Sequence, residues 1–174
     1  AHVEARAAVS RDAASTAFVR TRRDHLLRVA YALSGDRSGA EDLLQTALVK
    51  LYVAWPRLRR AEAAEAFVRT TMVRTTIDDS RRPWRREIST AEVPDRPMEP
   101  VEPVDAGLLD ALLGLAPMQR AVVVLRHWLD LSVEQTAREL GISTGAVKTH
   151  SHRGLAALRA SREIAGSAPS HRTS

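Results

Sequence analysis

The residues whose types and spacing could do chemistry lie close together near the C-terminal end, in the run TGAVKTHSHRG over residues 144–154. At helical spacing, Thr144, Lys148, Thr149, His152 and Arg153 share an outer face of hydroxyls, imidazole and cations, with no Glu or Asp among them. Such donors, crowded near one helix N-terminus, suit hydrogen bonds to base edges and phosphates rather than a reaction. Catalytic arrangements are missing elsewhere. His150 and His152 stand two apart and point to different sides of a helix, so they cannot make an i,i+4 metal pair. Asp78 and Asp79 are adjacent rather than facing, and no glycine-rich phosphate loop or nucleophile elbow is present. The expectation is a binding protein: no enzyme, no catalytic residue, no metal and no cofactor.

The element that positions the outer face is legible from Ser132 to Arg159. Ser132 followed by Gln135 makes a capping box that opens a helix. Val133, Ala137 and Leu140 recur on one face, and Gly141 can close the helix in the left-handed conformation. Ile142 returns to the core and Ser143 offers a second cap. The next helix buries Val147, Leu155 and Leu158, with Ser151 and Gly154 as small residues at close contacts. Two helices joined by a glycine turn, the second with a donor-rich outer face, form the helix-turn-helix geometry, in which the second helix enters the DNA major groove.

The 174 residues allow one domain or two small ones. Cysteine is absent, which removes disulfides and thiolate metal sites. No apolar run approaches the roughly 20 residues of a membrane span. The opening AHVEARAAVSRD lacks the apolar core of a secretion signal, so the expected compartment is the cytoplasm. Net charge is +5 and the sequence pI is about 10.6, which favours a polyanionic partner. Seven acids and one base lie between Glu87 and Asp110, so that stretch carries −6 and the remainder +11.

Read in order, residues 1–15 form a flexible, Ala-rich and polar N-terminus, frayed or weakly helical. A first helix spans about Ser15 to Leu33, and Ser34-Gly35-Asp36 is a turn. Ser38 with Glu41 makes a capping box for a second helix, which Pro56 should stop soon after Trp55. A third runs from about Ala61 to Ser80, with Ala63, Phe67, Met72, Val73 and Ile77 inward. It ends among cations, where Arg69, Arg74, Arg81, Arg82, Arg85 and Arg86 surround Trp84, a composition suited to nucleic acid. Pro94, Pro97, Pro100 and Pro103 fall at the three-residue repeat of a polyproline II spacer. Pro117 then opens a helix through Trp128. The expected fold is all-α: a first helical domain over 16–86, an acidic proline-rich linker over 87–105, a four-helix helix-turn-helix domain over 106–160, and a flexible tail over 161–174.

Three blocks in this order resemble the extracytoplasmic-function sigma factors of the sigma-70 family, the two-domain type, with an actinobacterial cast. AEDLLQTALVKLYVAW (residues 40–55) is similar to the segment that grips the polymerase clamp, and FVRTTMVRTTIDDSRR (residues 67–82) to the helix that recognises the −10 element. Residues 115–159 resemble the domain that reads the −35 element. The resemblance implies core RNA polymerase (clamp and flap regions) and promoter DNA as partners, adds an anti-sigma protein as a further candidate, and needs no membrane. Asp42, Leu44, Gln45 and Leu48 would face the clamp. The loop from Arg57 to Glu65 would hold a flipped base of the −10 non-template strand, which Arg57, Arg59, Arg60, Arg69, Arg74, Asp78, Arg81, Arg82 and Trp84 would line. Thr144, Lys148, Thr149, His150, His152 and Arg153 would face the −35 groove.

Three positions depart from the family pattern. Thr46 replaces a usual acid, Arg74 a frequent Asn, and His150 a frequent Arg, which would leave the −35 contact weaker or sensitive to pH. Two rivals remain at this stage. GISTGAVKTH also resembles LuxR-type regulators, which bind duplex operators as dimers, and a helical polymerase-binding adaptor would use no DNA contact at all.

Overall fold

The computed structural model describes residues 2–58, 60–82 and 106–166. Arg59, Trp84, Arg85, Arg86, the proline-rich stretch and the last eight residues lie outside them. The chain divides into two compact units, each taken by itself below.

The first unit is a bundle of three helices, α1 (His2–Ser34), α2 (Arg37–Leu58) and α3 (Ala61–Ser80). Its core interleaves Leu26, Val29 and Leu33 of α1, Leu44 and Leu51 of α2, and Val68, Met72 and Val73 of α3, each at most 1% exposed. Each helix thus supplies an apolar stripe at i, i+3, i+4, i+7 spacing, the pattern a small bundle needs. Phe18 and Trp55 close one end with ring centroids 5.7 Å apart.

Several expectations are corrected here. α1 starts at His2, not near Ser15; residues 2–14 are all exposed, and their alanines favour the helix without burying it. Asp36, not Ser38, caps α2: the Gly39 N–H donates to Asp36 Oδ1 at 2.7 Å, as a capping carboxylate does at a helix N-terminus. Glu41, freed from capping, meets Arg23 at 3.4 Å. Pro56 does not stop α2 at once. Its ring deprives only the Tyr52 carbonyl of a donor, and the helix runs on to Leu58. The buried stripe of α3 opens on Ala64 and Val68, while Ala63 and Phe67 are only half-buried.

The second unit has α4 (Ala106–Leu113), α5 (Pro117–Val123, continued by a π-helical turn Val124–Trp128), α6 (Val133–Leu140) and α7 (Thr144–Gly166). Leu109, Leu112 and Leu115 pack with Val122–Leu125 and Val147 as its core. Arg120 is only 9% exposed, and its guanidinium donates to the carbonyls of Leu112 (2.8 Å), Leu113 (3.1 Å) and Leu115 (3.1 Å). These carbonyls lie at the C-terminal end of α4 and in the turn after it, where the Leu112 carbonyl also accepts from the Leu115 N–H at 3.1 Å, so Arg120 ties α4 to α5. The wide turn accommodates one extra residue before the chain reverses. Asp130 takes φ 53° there, a conformation aspartate tolerates better than most residues. α7 runs to Gly166, past the expected end near residue 160, with its last turns exposed.

Candidate nucleic-acid interface

The helix-turn-helix is built as its local sequence requires. Ser132 Oγ accepts from the Gln135 N–H at 3.0 Å, and Gln135 Oε1 accepts from the Ser132 N–H at 2.9 Å. Gly141 ends α6 at φ 65°, where a side chain would be strained. Ser143 Oγ accepts from the Ala146 N–H at 3.0 Å and starts α7. Val122, Ala137 and Val147 form the buried joint, with Val133, Leu140 and Ile142 packed against it. Leu155 and Leu158 are half-buried, and Ser151 Oγ lies 2.7 Å from His127 Nε2 of α5.

This scaffold leaves Thr144, Lys148, Thr149, His152 and Arg153 exposed. From Lys148 round to Arg153 the face spans about 140° of helix circumference, enough to line one wall of a major groove about 12 Å wide. His150 departs from that face. It is half-buried, with its Nδ1 shut from solvent and without a partner among the described residues, because it stands beyond the edge of the outer arc.

Close approach at Gly154 holds α7 in place. A Cβ there would sit 2.6 Å from Val123 Cγ2, inside any real contact distance. Gly154→Val should therefore cost about 1–3 kcal/mol through overpacking, beyond its lower helix propensity. Val123→Ala should restore part of that loss, as read by urea unfolding of the single and double variants.

In the first unit, Arg74, Asp78 and Arg81 are exposed on one side of α3, and Arg82 is exposed just past its end. Arg69 does not join them. Five residues from Arg74, it lies about 140° around the helix and is half-buried beside His25 of α1. The loop expected over residues 57–65 is shorter: α2 ends at Leu58, α3 begins at Ala61, and Arg57 and Arg60 are exposed at the junction. Glu65 is a helical residue paired with Arg22. Arg59 and Trp84 fall outside the described residues.

On α2, Asp42 and Gln45 are exposed and Leu48 is half-buried, but Leu44 is 0% exposed and belongs to the core, one turn from Ala47 and two from Leu51. It cannot face a partner. The outer side carries instead Val49 (64% exposed), Tyr52 (57%) and Val53 (73%), which the sequence reading missed. Their signal was available: they fall between the buried positions Ala47, Leu51 and Ala54, so a strict 3.6-residue reading turns them outward. Tyr52 donates to Asp12 Oδ1 at 3.0 Å, and that bond raises its pKa.

Two histidines give the fold a pH dependence. Burial, reinforced by Arg22, holds His25 below its ordinary pKa against the opposing pull of Glu65; burial and Arg126 do the same for His127. A histidine with a lowered folded pKa resists protonation, so the stability it permits is present above the unfolded value near 6.5 and is lost as pH falls below it. Both groups are partly exposed, so the effect is modest. Melting temperature should be lower at pH 5.5 than at 7.5, and the difference should shrink in a His25→Gln, His127→Gln double variant. Among the described residues no three His, Asp or Glu side chains cluster to hold a metal, and no helix is long and apolar enough to cross a membrane.

Comparison with known proteins agrees with this architecture. Residues 18–86 match Sigma-70 region 2, and residues 106–158 match Sigma-70, region 4. The RNA polymerase sigma-E factor of Streptomyces coelicolor is 44% identical over 145 residues, covering 82% of each chain. The ECF RNA polymerase sigma factor ShbA of Streptomyces griseus is 36% identical, covering 75% of this chain and 76% of that one. The sigma factor RpoE of Bartonella quintana, solved with the anti-sigma factor NepR, has the same fold: TM-score 0.65 at 22% identity, over 84% of this chain and 94% of that one. With regions 2 and 4 both in place and relatives this close, the chain belongs to the sigma-70 family as an RNA polymerase sigma factor of the extracytoplasmic-function type, a factor that directs transcription initiation.

Proposed function

We propose that this sigma factor divides promoter recognition among three surfaces, acting by binding alone. The −35 duplex meets Thr144, Lys148, Thr149, His152 and Arg153 of α7. The −10 non-template strand runs along Arg57, Arg60, Arg74, Asp78, Arg81 and Arg82. Core RNA polymerase docks on the outer side of α2, through Asp42, Gln45, Val49, Tyr52 and Val53. The observation that carries the reading is the acid-free, exposed arc of α7, fixed by two caps and a close glycine contact. Two modest surfaces on one chain gain specificity by engaging together, because binding at one raises the effective concentration at the other.

The test is run-off transcription from fragmented genomic DNA, with core polymerase alone and with the chain added. Discrete new transcripts should appear only with the chain, and their start sites should share −35 and −10 sequences. Lys148→Ala and Arg153→Ala should each cost about 1–3 kcal/mol of discrimination at the −35 element. Arg81→Ala should instead weaken binding to all sequences and flatten the salt dependence. A −35 consensus unmoved by both α7 substitutions would remove that helix from the readout.

A further inference from the structure

On the side turned away from its exposed arc, α7 carries a polar contact to the helix behind it. Ser151 Oγ lies 2.7 Å from His127 Nε2, in the π-helical turn that continues α5. A hydroxyl can donate or accept, so either tautomer of the imidazole completes the bond. Ser151 is half-buried one turn from Lys148, and His127 is exposed at the rim. The neighbouring α5–α7 contacts are apolar and close. Val122 clusters with Val147, and a Cβ at Gly154 would meet Val123 Cγ2 at 2.6 Å and the Gln119 carbonyl at 3.6 Å. Apolar packing sets a distance but has no preferred direction. A hydrogen bond has one, and so resists rotation of the helix.

The π-helical turn brings His127 to that place. On an α-helix, a stripe of every fourth residue drifts by about 40° per step. Gln119 and Val123 already face Gly154, so from Gln119 to His127 the drift would reach about 80°. The wider turn over Val124–Trp128 advances less per residue and takes back much of it. Three hydrogen bonds fix the turn. The Leu129 N–H donates to the Val124 carbonyl at 3.0 Å, the Leu131 N–H to the Leu125 carbonyl at 2.9 Å, and Arg126 Nη1 to the Leu131 carbonyl at 2.5 Å. Arg126 is thereby engaged away from Ser151, and Asp130, the acid near His127, takes φ 53° where the chain reverses. Turns of this kind are rare inside helices and frequently mark functional places.

We infer that His127, acting through Ser151, is a positioning residue for sequence readout, a role that rests on the reading of α7 as the −35 helix. It sets the rotation at which α7 presents Lys148, Thr149, His152 and Arg153 to the groove. Side-chain atoms ride about 5–6 Å from the helix axis, so a rotation of about 20° carries them about 2 Å. A hydrogen bond to a base edge tolerates about half an ångström of that. A phosphate contact made by a long, flexible cation follows the shift. Loss of the His127–Ser151 bond therefore blurs the choice among sequences and spares general affinity for DNA. The bond lies at the surface, so it contributes little to the stability of the unit.

The experiment uses holoenzyme assembled from the full chain and core polymerase. The templates are a promoter mapped with this holoenzyme and the same promoter with its −35 element scrambled. The ratio of initiation rates on the two reads discrimination, and binding to the scrambled template across a salt series reads general affinity. Ser151→Ala removes the hydroxyl where alanine favours the helix. It should lower the ratio about three- to tenfold, the worth of one net hydrogen bond, with salt slope and melting temperature nearly unmoved. His127→Phe should do the same, and the double variant should be no worse than either, as two ends of one bond require. His127→Gln, whose amide reaches about the place of Nε2, should recover most of the loss. Equal losses on both templates, additive losses in the double variant, or a His127→Gln defect as large as that of His127→Phe would each overturn the inference. So would an unchanged ratio in Ser151→Ala when Lys148→Ala and Arg153→Ala lower it. If those two substitutions leave the ratio unmoved, the −35 reading itself fails and the inference falls with it.

Discussion

Arg120→Met should loosen the whole second unit. The substitution keeps much of the apolar volume but removes the guanidinium shared by the Leu112 and Leu113 carbonyls of α4 and the Leu115 carbonyl just beyond it. An unpaired buried polar group costs about 1–3 kcal/mol, and partial relaxation toward water brings the expected total to about 3–5 kcal/mol. A small domain has stability near the lower end of the usual range of roughly 5–15 kcal/mol, so the loss is comparable with the whole. Arg120→Lys should fall between the two, because an ammonium cannot fork across three acceptors. Amide hydrogen exchange in the full chain reads the effect locally. Protection of α4 and α5 should collapse in Arg120→Met while α1–α3 are unchanged. Retained protection at Leu112 and Leu125 would show that apolar packing alone anchors α4.

The largest expected effect on function comes from α2. Val49→Asp and Val53→Asp change side chains that are 64% and 73% exposed, so the fold should tolerate both. Against a docked polymerase each carboxylate would be buried without a partner, at a cost of about 2 kcal/mol or more. Core affinity should fall at least tenfold for either and beyond a hundredfold for the pair, with circular dichroism and melting temperature unmoved. Leu44→Asp should behave in the opposite way, losing stability first, because its site is the bundle core. Full core binding by the Val49→Asp, Val53→Asp protein would move the polymerase contact off this side of α2.

What the sequence made legible was mostly short-range. The Ser132–Gln135 box, the Gly141 turn and the Ser143 cap are interactions within four residues, and each stands where the pattern placed it. The α3 bounds at 61 and 80 also agree. Errors arose where two local solutions competed. Asp36 and Ser38 can both cap α2, and backbone geometry at the Gly35 turn favours Asp36. Leu44 looked outward by analogy, although its spacing from Leu51 places both on the buried stripe. Long-range partners were not legible at all. Nothing in the run of leucines before Arg120 announces that a cation will satisfy their carbonyls, and the π-helical turn at Val124–Trp128 breaks the periodicity that would have revealed it. The Arg22–Glu65 pair escaped notice for the same reason, since the two become neighbours only when α1 and α3 pack.

α1 is one helix in geometry and two in thermodynamics. From Ser15 onward it shares the cooperative melting of the bundle, whereas residues 2–14 bury nothing and belong to a helix–coil equilibrium of their own. That stretch is too short to persist as an isolated helix in water, so it is nucleated by the turns it grows from. Its lifetime therefore depends on how far each residue lies from Ser15, and the Tyr52–Asp12 bond sets the last point at which the bundle holds it. A protease added in trace amounts would trim the chain progressively from the amino end, slow abruptly near Asp12, and leave a fragment with the melting temperature of the intact bundle.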